Sequence, residues 1–305
     1  MRHDSLRTAG APTVDGPFSR RQKVAGYVAL TKPRIIELLL VTTVPTMFVA
    51  EGGMPSVWLM VATVVGGTLA AGGANAVNMV VDRDIDALME RTMHRPLVRG
   101  VMTPRAALVF AVVIEVVAFV WLFATVNLLS AVLAVSATFF YVFVYTLWLK
   151  RTSTQNIVIG GAAGAVPVLV GWSAVTGTLG WAPVVLFLVI FFWTPPHFWA
   201  LAIKYRDDYS TAEVPMLPSV TSLGETVRKM ALYTVVLVAL TLVFSPVAGM
   251  GWVYLGSALV LGLAFGVLVE AVRRDPGERT AMRLFSWSIT YVTLLFAAMV
   301  VDVLV

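Results

Sequence analysis

The segment Asn78-Met-Val-Val-Asp82-Arg-Asp84-Ile-Asp86 sets three oxygen-bearing side chains four residues apart. On a helix, Asn78, Asp82 and Asp86 form a stripe on one face that climbs about 6 Å per step. Two carboxylates and an amide, with no sulfur or imidazole, make a donor set for a hard divalent cation. Mg2+ takes one or two carboxylates, keeps several waters and completes its shell with substrate phosphates. Asp84 points roughly the opposite way and is not expected to share that ion. The plainer reading is a solvated helix end, with Arg83 neutralising the acids. Against it, Asn78 and Asp82 sit where an apolar run is ending, and uncompensated carboxylates there resist desolvation.

Other polar groups flank this stripe. Arg91 and Arg95, in Met89-Glu-Arg91-Thr-Met-His94-Arg95-Pro-Leu-Val-Arg99, share a face if helical and suit forked contacts with phosphate oxygens. Alternatively they only hold the loop on one side of a membrane. A second segment reads Lys204-Tyr-Arg206-Asp207-Asp208-Tyr209, then Val214-Pro-Met-Leu-Pro218, so Lys204 and Asp208 repeat the four-residue spacing. Asp86 to Pro96 and Asp208 to Pro218 both span ten residues, a hint of two related caps that face each other. Lys150, Arg151 and Asn156 either reach phosphate oxygens or mark the same face. Gly160, Gly161 and Gly164 just beyond them permit close helix packing.

His197 lies in Trp193-Thr-Pro-Pro-His197-Phe-Trp199, inside an apolar run. It is open to three readings: an axial ligand to a haem, a hydrogen-bonding group, or a buried residue satisfied by a carbonyl that the prolines free. Glu115 is also inside an apolar run, with an interhelical hydrogen bond as its one suggested role.

Composition says what must position these groups. Of 305 residues, 59% are hydrophobic and 13% charged, and the mean hydropathy is +0.86. A soluble globule could not hide that much apolar surface. Cysteine is absent, which excludes thiol nucleophiles, disulfides and thiolate metal sites, and three histidines are too few for a histidine-rich metal cluster. Nine apolar runs, roughly 35–50, 57–81, 106–125, 128–148, 157–175, 183–203, 230–248, 252–272 and 284–305, approach the ~20 residues that cross a bilayer. The first is short and is expected to extend backward through Val24–Leu30.

All 22 Lys and Arg fall before the first run or in alternate loops between runs. Such loops stay cytoplasmic, which puts the amino terminus inside and the carboxyl terminus outside. The net charge of +5 is therefore topology rather than a nucleic-acid face, and no nucleic-acid partner is expected. The fold class is an all-α integral membrane protein of about nine transmembrane helices. Residues 1–24 read as a polar cytoplasmic tail, mobile over the first ~20, and residues 25–305 as one membrane domain. The tail has no signal-peptide order, and Asp4 and Asp15 argue against a transit peptide.

The Asn78-Asp82-Asp86 stripe in an inner loop of a nine-span chain resembles the UbiA superfamily of intramembrane prenyltransferases. The resemblance covers roughly residues 25–305. It is carried also by Leu30-Thr-Lys-Pro-Arg-Ile35, Met89-x-Arg-Thr-x-x-Arg-Pro-Leu97, Lys150-Arg-x-Thr and Asn156-Ile-Val-Ile-Gly-Gly. The acidic stripe marks the superfamily, while Pro-Pro-His197-Phe-Trp and Met216-Leu-Pro218 resemble its haem-modifying branch. The resemblance implies a helical bundle in the plasma (inner) membrane, active at its cytoplasmic side and dependent on Mg2+. The implied reaction is haem b, farnesyl diphosphate and water giving haem O and diphosphate.

By the same resemblance Asn78, Asp82 and Asp86 hold the metal, and with Asp208 and Lys204 they form the catalytic set. Arg91, Arg95, Lys150, Arg151 and Asn156 bind diphosphate, and His197 with Arg34 lies near the haem. One departure stands out: the superfamily often has two aspartates four apart in its second motif, and here the earlier position is Lys204. A downstream haem O-modifying enzyme or oxidase subunit is an implied partner, besides the lipid bilayer. Competing readings keep the superfamily with a quinone precursor, chlorin or lipid as acceptor, or make the chain a transporter.

Overall fold

The computed structural model describes residues 18–305, with the backbone alone for 34–40. Residues 1–17 of the expected tail, and the Arg34 side chain assigned to haem, lie outside what is described. Ten helices carry the architecture: α1 Arg20–Leu30, α2 Pro33–Glu51, α3 Val57–Val81, α4 Pro104–Thr125, α5 Leu128–Thr152, α6 Asn156–Thr176, α7 Trp181–Lys204, α8 Leu223–Ala248, α9 Trp252–Arg274 and α10 Glu278–Leu304. Among the described residues there is no strand. Hydrocarbon offers no partner for a backbone amide, so apolar runs of this length satisfy their hydrogen bonds internally, as helices.

Eight of these helices, α3 to α10, are long and apolar enough to cross a membrane. The nineteen-residue α2 corresponds to the first apolar run. Sequence neighbours from α2 to α10 pack side by side, and α10 returns against α2 to close the bundle. Contacts of α2 with α6 and of α7 with α10 fill the middle. The largest apolar core lies among α6 to α10, around Trp193, Trp199, Phe244, Phe265, Tyr291 and Phe296. Outward positions are apolar too: Val260, Leu263 and Val267 of α9 are about 70% exposed. That pattern suits a bundle whose outer surface meets lipid.

Three local features depart from expectation. First, Val24–Leu30 does not prolong the first span. A capping box opens α1, with Ser19 and Gln22 bonding each other's backbone N–H. Lys32 then breaks the chain in a left-handed conformation (φ 53°) before Pro33 starts α2. That conformation costs a non-glycine residue about 1–2 kcal/mol. It is held by contacts along α3: Gly72 lies under Thr31, and the Asn75 amide donates to the Thr31 carbonyl at 3.2 Å.

Second, the chain between Met89 and Gly100 folds as successive turns rather than a helix, so Arg91 and Arg95 do not share a helical face. Third, Phe140–Leu149 within α5 is a π-helix. The hydroxyl of Thr146 donates to the carbonyl of Tyr141, five residues back, at 2.9 Å. Long π segments are rare and mark places where side chains are re-aimed. Here Thr146 and Lys150 are brought onto the polar end of α3.

Close packing at the glycines is selective. Gly160 and Gly161 leave room for Tyr145 and Thr194, whereas Gly164 has nothing near its missing Cβ. At Gly171 of α6 a Cβ would meet the backbone carbonyl oxygen of Thr43 in α2 at 2.6 Å. We therefore expect Gly171→Ala to destabilise the purified protein by about 1–3 kcal/mol, the usual range for overpacking. Gly164→Ala on the same helix should leave the melting temperature unchanged. Equal melting shifts for the two variants would refute the close α2–α6 approach.

Candidate active site

Helical hydrogen bonding continues past the end of α3. Asp82 N–H donates to Asn78 O at 2.9 Å and Asp86 N–H to Asp82 O at 2.8 Å, leading into the short helix Arg83–Asp86. Asn78, Asp82 and Asp86 are therefore joined into the expected stripe, and all three are buried, Asp82 completely. Asn78 Nδ2 donates to Asp82 Oδ2 (2.7 Å) and to Thr146 Oγ1 (3.1 Å).

Cations gather around the stripe, and they come from Lys150, Arg95 and Arg151 rather than from Arg83, the neutraliser in the alternative reading. Lys150 Nζ binds Asp82 Oδ2, and Arg95 Nη1 binds Asp86 Oδ2 at 2.6 Å. Arg151 forks onto exposed Asp84, with both contacts at 2.7 Å, and stands 3.9 Å from Asp82 Oδ1. That fork holds the Asp84 carboxyl down to about 2. Asp84 is thus an anchor for Arg151 and faces away from the buried pair.

Sequence reasoning gave Lys32 no role, yet its Nζ donates to Asn78 Oδ1 at 2.8 Å. Burial, together with nearby Arg95 and Lys150, brings its ammonium down to about 7. The available signal was its place, a lysine before a proline where an apolar run begins.

Each buried carboxylate is only half satisfied. Oδ1 of Asp82 and Oδ1 of Asp86 have no hydrogen-bond partner, nor has buried Oδ1 of Asn156, which lies at the start of α6. Burying such an atom unpaired is costly. Among the described residues no three His, Cys, Asp or Glu side chains converge into a complete metal cage. Two carboxylate oxygens with free lone pairs do fit a hard cation that takes the rest of its shell from phosphate and water.

The second polar segment closes over the first. Asp208 accepts from the backbone N–H groups of Glu90 and Arg91, at 3.4 and 3.3 Å. The Arg91 guanidinium lies 5.5 Å from the ring centroid of Tyr205 and bonds buried Tyr209. Burial pushes the Tyr209 phenol up. Asp208 therefore ties the two caps together through the chain at Arg91. Lys204 pairs with Glu278 at 3.2 Å, and among the described residues no ion pair joins it to Asp208. Asn156 Nδ2 donates to the carbonyl of Pro215 in the same cap, at 3.4 Å.

His197 stands apart from this cluster. Helix α7 runs through Pro195 and Pro196 without ending, and the imidazole stacks between Trp193 and Phe285, centroids at 4.2 and 4.7 Å. Its Nδ1 lies 2.6 Å from Ser288 Oγ, and no freed carbonyl satisfies it. The Ser288 hydroxyl spends its hydrogen on the Phe285 carbonyl at 2.6 Å, so its oxygen accepts from Nδ1–H. In the neutral ring, Nε2 then carries the lone pair. Glu115 makes the expected interhelical bond, Oε1 accepting from Thr138 of α5 at 3.0 Å.

Comparison with known proteins agrees with this architecture. A model of the UbiA prenyltransferase family matches residues 39–289. The chain is 56% identical to the protoheme IX farnesyltransferase of Frankia alni over 93% of its length and 99% of that protein. It is 53% identical to the enzyme of the same name from Streptomyces avermitilis, with 94% and 95% covered. Among solved structures, a digeranylgeranylglyceryl phosphate synthase superposes with a TM-score of 0.77 at 16% identity, covering 92% of this chain and 99% of that one. A UbiA homolog from Archaeoglobus fulgidus bound to GPP and Mg2+ gives 0.63 at 15% identity, with 90% and 99% covered. A family match over most of the length, and relatives above half identity, settle the classification: the chain belongs to the UbiA prenyltransferase family.

Proposed function

We propose that this prenyltransferase moves the farnesyl group of farnesyl diphosphate onto a vinyl group of haem b, giving haem O and diphosphate. The acceptor follows from the end-to-end likeness to protoheme IX farnesyltransferases. The chemistry rests on one observation: two buried carboxylates, each with an unpartnered oxygen, within a ring of Lys32, Arg95, Lys150 and Arg151.

Asp82 and Asp86, with Asn78, would hold Mg2+, which supplies positive charge to a departing diphosphate. That a UbiA homolog from Archaeoglobus fulgidus was solved with GPP and Mg2+ supports the choice of metal. Lys150, Arg151 and Arg95 stand ready to take diphosphate oxygens, with Arg91 and Asn156 at the edge of the same cap. Their charge is fixed before reaction, so stabilising the leaving group costs little reorganisation. The farnesyl C1–oxygen bond breaks with its electron pair on the diphosphate oxygen. The terminal vinyl carbon of haem bonds to C1, and a water oxygen adds to the inner vinyl carbon and loses a proton. Tyr141 and Tyr145, stacked at 5.3 Å on the π-helix, offer aromatic faces to the transient cation. Asp208 holds the caps closed against water.

The haem sits by His197, whose lone pair at Nε2 suits an iron ligand once Ser288 fixes the tautomer. The site faces the cytoplasm from the plasma membrane, because every basic loop lies at this end.

Incubating the purified protein with haem b, farnesyl diphosphate and Mg2+ should yield haem enlarged by one farnesyl group and one hydroxyl, read by mass. Transfer to a quinone precursor, chlorin or lipid with haem untouched would overturn the assignment. Asp82→Ala should cut turnover at least ~100-fold, the order seen when one transition-state charge contact is lost. His197→Ala should weaken haem binding and shift its absorption spectrum while leaving pyrophosphate binding unchanged. An unaltered haem spectrum would remove His197 from the site. Since the native chain has no cysteine, a single Ser222→Cys should label only from the cytoplasmic side, and Ser56→Cys only from outside.

A further inference from the structure

Asn78 has an unambiguous amide orientation. Its two ends meet different groups, Lys32 Nζ at 2.8 Å on one side and Asp82 Oδ2 at 2.7 Å on the other. Oδ2 of Asp82 already accepts from Lys150, so the atom 2.7 Å from it must be the amide nitrogen, which leaves the amide oxygen facing Lys32. Thr146 already donates to Tyr141, so it accepts from the same nitrogen. The one oxygen that Asn78 offers to a cation is thus held by Lys32. Turning the amide oxygen toward a cation would give up its contacts with Lys32, Asp82 and Thr146 together.

The backbone of Lys32 is pinned, and among the described residues its side chain ends in the single contact with Asn78 Oδ1. The left-handed residue is fixed by Pro33 on one side. On the other, Thr31 rests on Gly72 and is tied to Asn75. Around the stripe stand four cations, Lys32, Arg95, Lys150 and Arg151, against three carboxylates, Asp82, Asp84 and Asp86. A divalent cation arriving alone adds positive charge where both buried carboxylates are already paired, Asp82 with Lys150 and Asp86 with Arg95. A diphosphate reverses that balance and offers Lys32 a stronger acceptor than an amide.

We infer that Lys32 and the divalent cation compete for the Asn78 amide oxygen, and that diphosphate draws Lys32 away, so that metal and diphosphate bind as a pair. This rests on the reading of Asn78, Asp82 and Asp86 as the metal face. Lys32 is then a positioning residue that keeps the cation from settling without its substrate.

Mn2+ binding to the full chain in detergent tests it, measured by electron paramagnetic resonance with and without inorganic pyrophosphate. Wild type should bind Mn2+ about tenfold or more tightly when pyrophosphate is present, within the range of ordinary site coupling. Lys32→Met should bind Mn2+ alone about tenfold more tightly than wild type and lose most of the pyrophosphate enhancement. Lys32→Arg should keep that enhancement, and Lys32→Gln gives the same reading as Met should the Met variant fail to fold. Wild-type Mn2+ affinity and undiminished coupling in Lys32→Met would overturn the inference. Asp82→Asn separates the two claims: unchanged Mn2+ binding there would mean that the metal face itself is misplaced.

Discussion

The structure is organised around an incompletely paired charge. Asp82 and Asp86 sit buried at the end of a membrane-spanning helix, each with one oxygen on a cation and the other without a hydrogen-bond partner. A fully neutralised pair would be inert, and a fully orphaned pair would be too costly to bury. The intermediate arrangement keeps the stripe folded and leaves lone pairs for a ligand. Much of the surrounding architecture serves this balance. The π-helix brings Lys150 and Thr146 to the stripe, the left-handed Lys32 reaches it from before α2, and Asp208 clamps one cap onto the other.

The bilayer provides the second constraint. Apolar runs become helices, and polar groups are driven to the rim or onto one another. The prenyl donor and its acceptor are amphipathic, with charge at one end and hydrocarbon or porphyrin at the other. A bundle with its charges at one rim and its aromatic core beneath presents both environments over a short distance.

Sequence alone showed most of the fold and about half of the site. The boundaries of α3 and the starts of α5 and α9 are where the apolar runs place them, because hydropathy and helix length are local properties. The spacing of Asn78, Asp82 and Asp86 was also legible, since helical periodicity carries it. What escaped depends on distant partners. The break at Lys32 is supported by Gly72 and Asn75, some forty residues onward. The π-helix has no composition signal, and the pairing of Lys204 with Glu278 or His197 with Ser288 joins α7 to α10. Arg91 and Arg95 misled for a related reason: tertiary ties to Tyr205 and Asp86 outweigh the helical pattern of their segment.

The central claim is that the free oxygens of Asp82 and Asp86 hold a divalent cation on which diphosphate departure depends. Turnover of protein stripped with a strong chelator, before and after graded return of Mg2+, measures this most directly. The account predicts farnesyl transfer falling to background on stripping and recovering as Mg2+ returns. Transfer that proceeds unchanged in the chelator would contradict it.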